Sequence, residues 1–324
     1  MVVSREQLEQ SLARLVAVVG TPRAGIYGPG TIAWMVNRES ALMLGGGRAA
    51  LLQLAHPFVA HAIDQHSDTR RDPQGRFRRT FGGVFAMVFG DLEHALSSAR
   101  RVHAVHQRVY GPIDENVGTF RRGGPYEAND PDALFWVHAT LVDSALMVYE
   151  RIVGPLRPAE RARYYEETKR QAWLFGIPDS AIPRTYVDFV AYFERMCRDV
   201  LRVGKPAREL AGFILASPTP LHGPVAAAYR NFTAGLLPPS VRAGYGLPFG
   251  RLEALALDAG LLATKRAYAL TPHALRYFPA YLEAERRIAG LPRRQRATVG
   301  RSVHRLVIRS MGQRPASAVS PARG

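Results

Sequence analysis

The chain has 324 residues, enough for one large or two ordinary domains with a sizeable core. Its 47% hydrophobic and 22% charged content is typical of a soluble globular protein. No uncharged apolar run reaches the length of about 18 residues at which a membrane-spanning helix is expected. The single cysteine, Cys197, excludes an intramolecular disulfide. Together with an N-terminus that is amphipathic rather than signal-like, it predicts a cytoplasmic location.

The net charge of +16, from 43 basic and 27 acidic residues, predicts attraction to polyanions. Much of the excess lies late in the chain, between Arg286 and Arg309. These arginines could form a surface for nucleic acid or an anionic membrane, or the solvated face of a helix whose other side carries residues such as Val299 and Val303. We prefer the helix, and expect no specific nucleic-acid partner, because no nucleic-acid motif accompanies the arginines.

Helical periodicity runs through the chain and predicts an all-α fold with one helical domain over residues 1–311. Helices are predicted at 4–18, 51–66, 76–89, 91–111, 131–153, 158–175, 185–203, 205–216, 224–236, 247–263, 272–289 and 293–311. Pro57 should kink the second of these, and the Gly-rich segment 112–131 should be an irregular loop. The run Gly45 to Gly47 lacks the Lys-Ser/Thr pair of a phosphate loop, so close helix packing or a helix break is expected. Residues 312–324 are small, polar and Pro-rich, which predicts disorder.

The stretch from Arg76 to Gly111 predicts two consecutive helices. Five apolar residues of the first helix share one face: Phe81, Val84, Phe85, Val88 and Phe89. Arg76, Arg79 and Thr80 fall within one turn of each other near its start. Asp91 is the expected N-cap of the second helix. That helix carries His103 and His106 one turn apart.

These residues resemble the catalytic domain that rubber oxygenases, or latex clearing proteins, share with the MpaB-type oxygenases. In the rubber-cleaving members one helix carries Arg, two residues, Lys and Thr beside a b-type haem, and the next carries the proximal histidine in a His-x-x-Val-Arg pattern. The matching residues are Arg76, Arg79 and Thr80, then His106 with Val109 three residues on. The resemblance extends over 51–68 and 136–156 and covers roughly residues 25–215.

The resemblance implies a globin-like multi-helix bundle around a pocket for haem b, with His106 as the iron ligand. It also implies that Phe81, Val84, Phe85 and Val88 form the apolar slot for the macrocycle, and that Arg76, Arg79 and Thr80 act in catalysis. Two residues depart from the pattern. Tyr110 replaces an Arg, and Arg79 replaces a Lys that can ligate iron. A guanidinium offers no lone pair, so Arg79 should leave the sixth position open and donate hydrogen bonds instead.

Three further polar residues lie within predicted apolar helices. His56 and His138 either line the haem pocket or are ordinary core histidines; His138 is assigned to catalysis and His56 to cofactor binding. Thr140 either joins the pocket or bonds back to its own helix. His103 competes with His106 for iron, and we prefer His106 because the family pattern falls there.

Other classes of site lack their residues. The single cysteine excludes zinc fingers and thiolate clusters, no Glu-x-x-His pair supports a di-iron site, and no Gly-x-Ser-x-Gly nucleophile elbow occurs. The sequence therefore predicts a haem-b-dependent oxygenase that uses dioxygen, with or without an electron donor. Its expected substrate is an apolar small molecule, saturated or unsaturated, such as a terpenoid, a lipid or another specialised metabolite. The alternative is a noncatalytic helical protein that binds an apolar ligand and docks through its basic region to a membrane or nucleic acid.

Overall fold

The computed structural model describes residues 2–67, 73–215 and 223–292, except for the side chains of 73, 74, 76–79, 224 and 225. The described part is mostly helical, as the periodicity predicted. The first eight helices are α1 (Arg5–Val18), α2 (Ile32–Asn37), α3 (Gly46–Leu54), α4 (Pro57–His66), α5 (Pro73–Phe89), α6 (Leu92–His106), α7 (Pro131–Ile152) and α8 (Pro158–Leu174). The others are α9 (Tyr186–Arg195), α10 (Lys205–Leu215), α11 (Pro224–Leu236), α12 (Pro239–Gly244), α13 (Arg251–Ala269), α14 (His273–Arg276) and α15 (Pro279–Ile288).

The N-cap predicted at Asp91 is confirmed, and Asp130 caps α7 in the same way. The Asp91 carboxylate accepts a hydrogen bond from the His94 N–H at 2.9 Å, and Asp130 accepts one from the Ala133 N–H at 2.9 Å. Each bond satisfies a backbone donor that the first turn of a helix leaves unpaired.

Two proline positions separate helices that the sequence predicted as continuous. Pro57 does more than kink the second predicted helix: α3 ends at Leu54, α4 begins at Pro57, and His56 is the N-cap residue between them. Pro279 likewise begins α15 after α14, because proline suits the first helical position better than an interior one.

The segment after α6 contains a short antiparallel sheet where an irregular loop was predicted. Strand β1 (Tyr110–Pro112) pairs with β2 (Pro125–Glu127), and Tyr110 lies opposite Glu127. The helix predicted to reach 111 therefore ends at His106, because the backbone beyond it bonds to the returning strand, including Ala128 N–H to Val109 C=O at 2.9 Å. Strands this short lack the alternating pattern that would reveal them in sequence.

Helix α7 lies at the centre of the molecule and packs against α2, α3, α8, α13 and the 3₁₀ segment Ser40–Gly45. Trp136 of α7 is fully buried, and its indole N–H donates to Leu52 C=O at 3.0 Å. The glycine run at the start of α3 serves close packing, as expected: a Cβ at Gly47 would meet Thr233 Oγ1 at 2.5 Å. Within the described residues, every helix is too short or too polar to cross a lipid bilayer.

The later part of the chain agrees less closely with the predicted boundaries. The helix predicted at 247–263 is α13 (Arg251–Ala269), and the one predicted at 185–203 closes with a π-helical turn, Met196–Val200. The helix predicted at 293–311 and the tail 312–324 lie outside the described residues, so the domain boundary at 311 stays a prediction.

Candidate functional site

A cavity of about 100 Å³ lies between α5, α7 and α8, with further walls from α2, α3 and the Ser40–Gly45 segment. One wall contains the four residues predicted to form the apolar slot, namely Phe81, Val84, Phe85 and Val88. The ring centroids of Phe81 and Phe85 are 6.0 Å apart, and Phe85 lies 4.8 Å from Phe278, another lining residue. The fold therefore brings these four predicted side chains onto one surface.

A second wall of the cavity is polar and comes from α8. Tyr164, Thr168 and Gln171 line it and are all buried. Burial raises the pKa of the Tyr164 phenol, so its hydroxyl keeps the proton and can donate a hydrogen bond. Sequence reasoning missed this wall. The available signal was the i, i+4, i+7 spacing, which places three polar side chains on one face of a helix.

Ser144 of α7 also lines the cavity and is tied to a buried cation. Its Oγ accepts a hydrogen bond from Arg48 Nη1 at 2.6 Å, and the Arg48 side chain is 2% exposed. Arg48 also donates to Leu236 C=O at 2.7 Å and pairs with Asp143 at 2.7 Å. A satisfied guanidinium thus lies one side chain away from the cavity.

His138 lies on the cavity side of α7. Val142 and Ala145, which line the cavity, follow it at i+4 and i+7, so all three share one helix face. The His138 ring is buried, and burial lowers its pKa to about 4, so the imidazole is neutral at pH 7. Its Nδ1 has no hydrogen-bond partner among the described residues. A neutral imidazole with an unused nitrogen therefore lies one turn from the cavity.

His56 is a second buried neutral histidine, but it does not line the cavity. Burial lowers its pKa to about 4, and its Nδ1 also lacks a partner within the described part. The imidazole packs against Phe58 and Phe120, with ring centroids 5.6 and 5.7 Å away. Its surroundings are those of a core histidine at a helix start.

His106 is half-buried at the C-terminal end of α6 and is not among the cavity residues. A link of two residues joins α5 to α6, and the two helices pack together, so His106 returns toward the first turns of α5. His103 is engaged elsewhere: its Nε2 lies 2.9 Å from Val3 C=O and must carry the proton that this carbonyl accepts. Among the two histidines of this helix end, His103 is therefore already used by the fold.

Thr80 and Thr140, two of the remaining predicted residues, do not line the cavity. Thr80 is exposed on α5, while the side chains of Arg76 and Arg79 lie outside the described ones. Thr140 Oγ donates to Val137 C=O at 2.7 Å and accepts from Gln53 Nε2 at 3.0 Å, so it serves the contact between α3 and α7. Tyr110, where the rubber enzymes' pattern has Arg, is 64% exposed in β1.

The cavity matches a haem slot in the kind of its residues but not in its size. Its lining is mainly apolar, and the His138 Nδ1, which has no hydrogen-bond partner among the described residues, lies one turn away. Cofactor sites measure about 300 Å³ or more, so a space of about 100 Å³ cannot hold a macrocycle without movement of its side chains. Gly82 and Gly83, beside Phe81, leave open space: a Cβ at either glycine would meet no atom of the described residues within 4 Å.

Comparison with known proteins identifies the family. Residues 33–267 match the family described as ER-bound oxygenase mpaB/B'/rubber oxygenase, catalytic domain. The chain belongs to this family. The match spans α2 to α13 and contains His56, His106, His138 and the residues that line the cavity, except Phe278. Family membership identifies an oxygenase fold, and it confirms the resemblance that the motifs indicated.

Two proteins similar to this chain are uncharacterised proteins from Mycobacterium bovis and Mycobacterium tuberculosis. Each is 26% identical over 231 residues, which cover 69% of this chain and 87% of the relative. No solved structure matches the chain.

Proposed function

We propose that the chain is a haem-b-dependent oxygenase acting on an apolar small molecule that carries a polar group. The observation that carries this proposal is the cavity, in which an apolar wall from α5 faces a polar wall from α8. The chain's membership of a family of oxygenases supports the same function. When bound, the haem would supply the activation of dioxygen.

The protein's own residues would bind and orient. Four apolar side chains would exclude water and hold the flat haem macrocycle, namely Phe81, Val84, Phe85 and Val88. The Tyr164 hydroxyl, protonated because it is buried, would donate to a polar atom of the substrate. His138, neutral because it is buried, would accept or donate a hydrogen bond at the end of the cavity. Arg76, Arg79 and Thr80 stay assigned to catalysis by the family pattern.

Two histidines compete as the iron ligand. His106 matches the family motif, whereas His138 shares a helix face with cavity residues and its buried Nδ1 has no partner among the described residues. We retain His106, because the family pattern falls there.

Absorption spectra of protein expressed with ample haem supply test the proposal. The wild type should show a Soret band, His106→Ala should lose it, and His138→Ala should keep it with altered dioxygen reactivity. His94→Ala is the matched control, because His94 is exposed on the same helix as His106. Loss of the band in His138→Ala but not in His106→Ala would assign the ligand to α7.

The small volume of the cavity favours a second candidate, a binding protein for a compact apolar ligand. This candidate predicts a colourless wild-type protein even when haem is plentiful. A colourless preparation that binds an apolar fluorescent probe, and loses that binding in Phe85→Ala, would replace the oxygenase proposal.

A further inference from the structure

The His61 ring of α4 is buried and lies beside two carboxylates. Its side chain is 1% exposed, and its Nε2 is 2.6 Å from an oxygen of Asp114, which is 59% exposed. Glu115 lies beside them, and one ligand atom from each of the three residues lies within 4.8 Å of the others. None of the three lines the cavity between α5, α7 and α8.

The hydrogen bond at the other ring nitrogen sets the chemistry of His61. Its Nδ1 is 2.8 Å from Pro57 C=O, and a carbonyl only accepts, so Nδ1 carries a proton. In the neutral imidazole Nε2 is then a bare lone pair directed at a carboxylate. Two acceptors repel unless a proton or a metal ion lies between them. Histidine ligands of metal ions characteristically donate their other N–H to a backbone carbonyl in this way.

Glu115 is held in place by the start of α10. Both carboxylate oxygens accept the Lys205 N–H, at 2.9 and 3.1 Å. Gly204 leaves the room for this arrangement, since a Cβ there would overlap Glu115 Oε1. The ligand set is therefore anchored on α4, α10 and the segment between β1 and β2, and it opens to solvent at Asp114.

We propose that His61, Asp114 and Glu115 bind a divalent transition-metal ion such as Zn²⁺. One imidazole and two carboxylates form a donor set that Zn²⁺ accepts, with water completing a four-coordinate site. Ligand atoms around tetrahedral Zn²⁺ lie about 3.4 Å apart, so the Asp114 carboxylate turns outward when the ion enters. Its exposure permits this movement.

A bound ion would fix the segment between β1 and β2 to the helices. That segment includes Phe120, whose ring packs against His56. Metal binding would therefore stabilise the wall that covers His56. This role is independent of the proposed oxygenase activity.

Calorimetric titration of the full chain with ZnCl₂, after removal of metal by chelation and dialysis, tests the site. We expect one binding event that weakens by roughly tenfold or more in His61→Gln, Asp114→Asn and Glu115→Gln, since even loss of a supporting hydrogen bond weakens metal sites by that factor. Zn²⁺ should also raise the Tm of the wild type but not of the three variants. Glu115→Gln keeps an oxygen for the Lys205 N–H and should fold normally.

His94→Gln is the matched control, because His94 pairs with one carboxylate, Asp91, at 2.7 Å on the surface. It should leave Zn²⁺ affinity unchanged. Wild-type protein that binds no Zn²⁺, or binds it equally well after His61→Gln, overturns the proposal and leaves a proton-shared pair of His61 and Asp114.

Discussion

Two buried histidines make the stability of the folded chain depend on pH. His56 and His138 are each held neutral because burial lowers the pKa to about 4, against about 6.5 in an unfolded chain. Between these values the unfolded chain binds protons that the folded one does not. The stability from burying the neutral rings is complete above about pH 6.5 and is lost as pH falls through this window.

We therefore predict that the free energy of unfolding decreases between pH 6.5 and 4, by about 1.4 kcal/mol per pH unit for each histidine. Urea denaturation at several pH values measures this slope. His138→Gln should remove about half of the contribution of the two histidines, because one titrating group is lost.

His94→Gln serves as the control, because His94 is 59% exposed and lies outside the core. Its slope should match that of the wild type. An unchanged slope in His138→Gln would show that the ring is protonated in the folded chain, contrary to its burial.

Gly82 and Gly25 differ in what an added side chain would meet. Gly82 lies within α5, and a Cβ there would meet nothing within 4 Å among the described residues, so neither their packing nor a positive φ explains the glycine. Gly25 has φ +84° after the 3₁₀ turn Pro22–Ala24, and a Cβ there would overlap Gly90 C=O. This contact joins that turn to the link between α5 and α6.

We predict that Gly82→Ala raises the free energy of unfolding by about 0.5–1 kcal/mol, because alanine restricts the unfolded chain and favours the helix. Gly25→Ala should lower it by more than about 1 kcal/mol, because the left-handed backbone and the contact with Gly90 both oppose a side chain. Urea unfolding of the haem-free protein gives both values.

Haem content separates the two possible roles of Gly82. If the glycine pair faces a macrocycle, Gly82→Ala should bind less haem while being more stable. A variant that is less stable than the wild type would instead place a structural contact at this position.

Some of the basic side chains that give the molecule its positive net charge form hydrogen bonds within the fold. Arg287 donates to Phe89 C=O at 2.7 Å and to Arg23 C=O at 3.0 Å, which ties α15 to the end of α5. Arg286 donates to Pro292 C=O at 2.9 Å. The first two arginines of the basic stretch thus bond to backbone carbonyls, while those from Arg293 onward lie outside the described residues.

We predict that the stretch from Arg293 to Arg309 is dispensable for catalysis. Combined charge reversal of Arg293, Arg294 and Arg296 should leave haem content and oxygen-dependent turnover unchanged in a protein that remains folded. DNA affinity that falls roughly a thousandfold between low and moderate salt, and disappears in this variant, would contradict the prediction and assign the region to DNA.

Local rules made much of the helical architecture predictable. Caps such as Asp91 and Asp130 act on donors three residues away, and the spacing of Phe81, Val84, Phe85 and Val88 places them on one helix face. Sequence patterns alone therefore predicted α5, α6 and α7, and they placed the apolar residues of the cavity wall on one face of α5.

Which polar side chains remain free to bind a ligand depends on contacts between distant parts of the chain, and these contacts are seen in the tertiary structure alone. Three polar side chains contact partners far away in the sequence. His103 is hydrogen-bonded to the Val3 carbonyl, 100 residues away. Thr140 is hydrogen-bonded to Gln53, 87 residues away, and His61 contacts Asp114, 53 residues away. Similarly, the polar wall of α8 faces the cavity because α8 packs beside α5 and α7. Periodicity and capping depend on neighbours within a turn or two, whereas hydrogen-bond partners and cavities depend on helices that the chain brings together from distant positions.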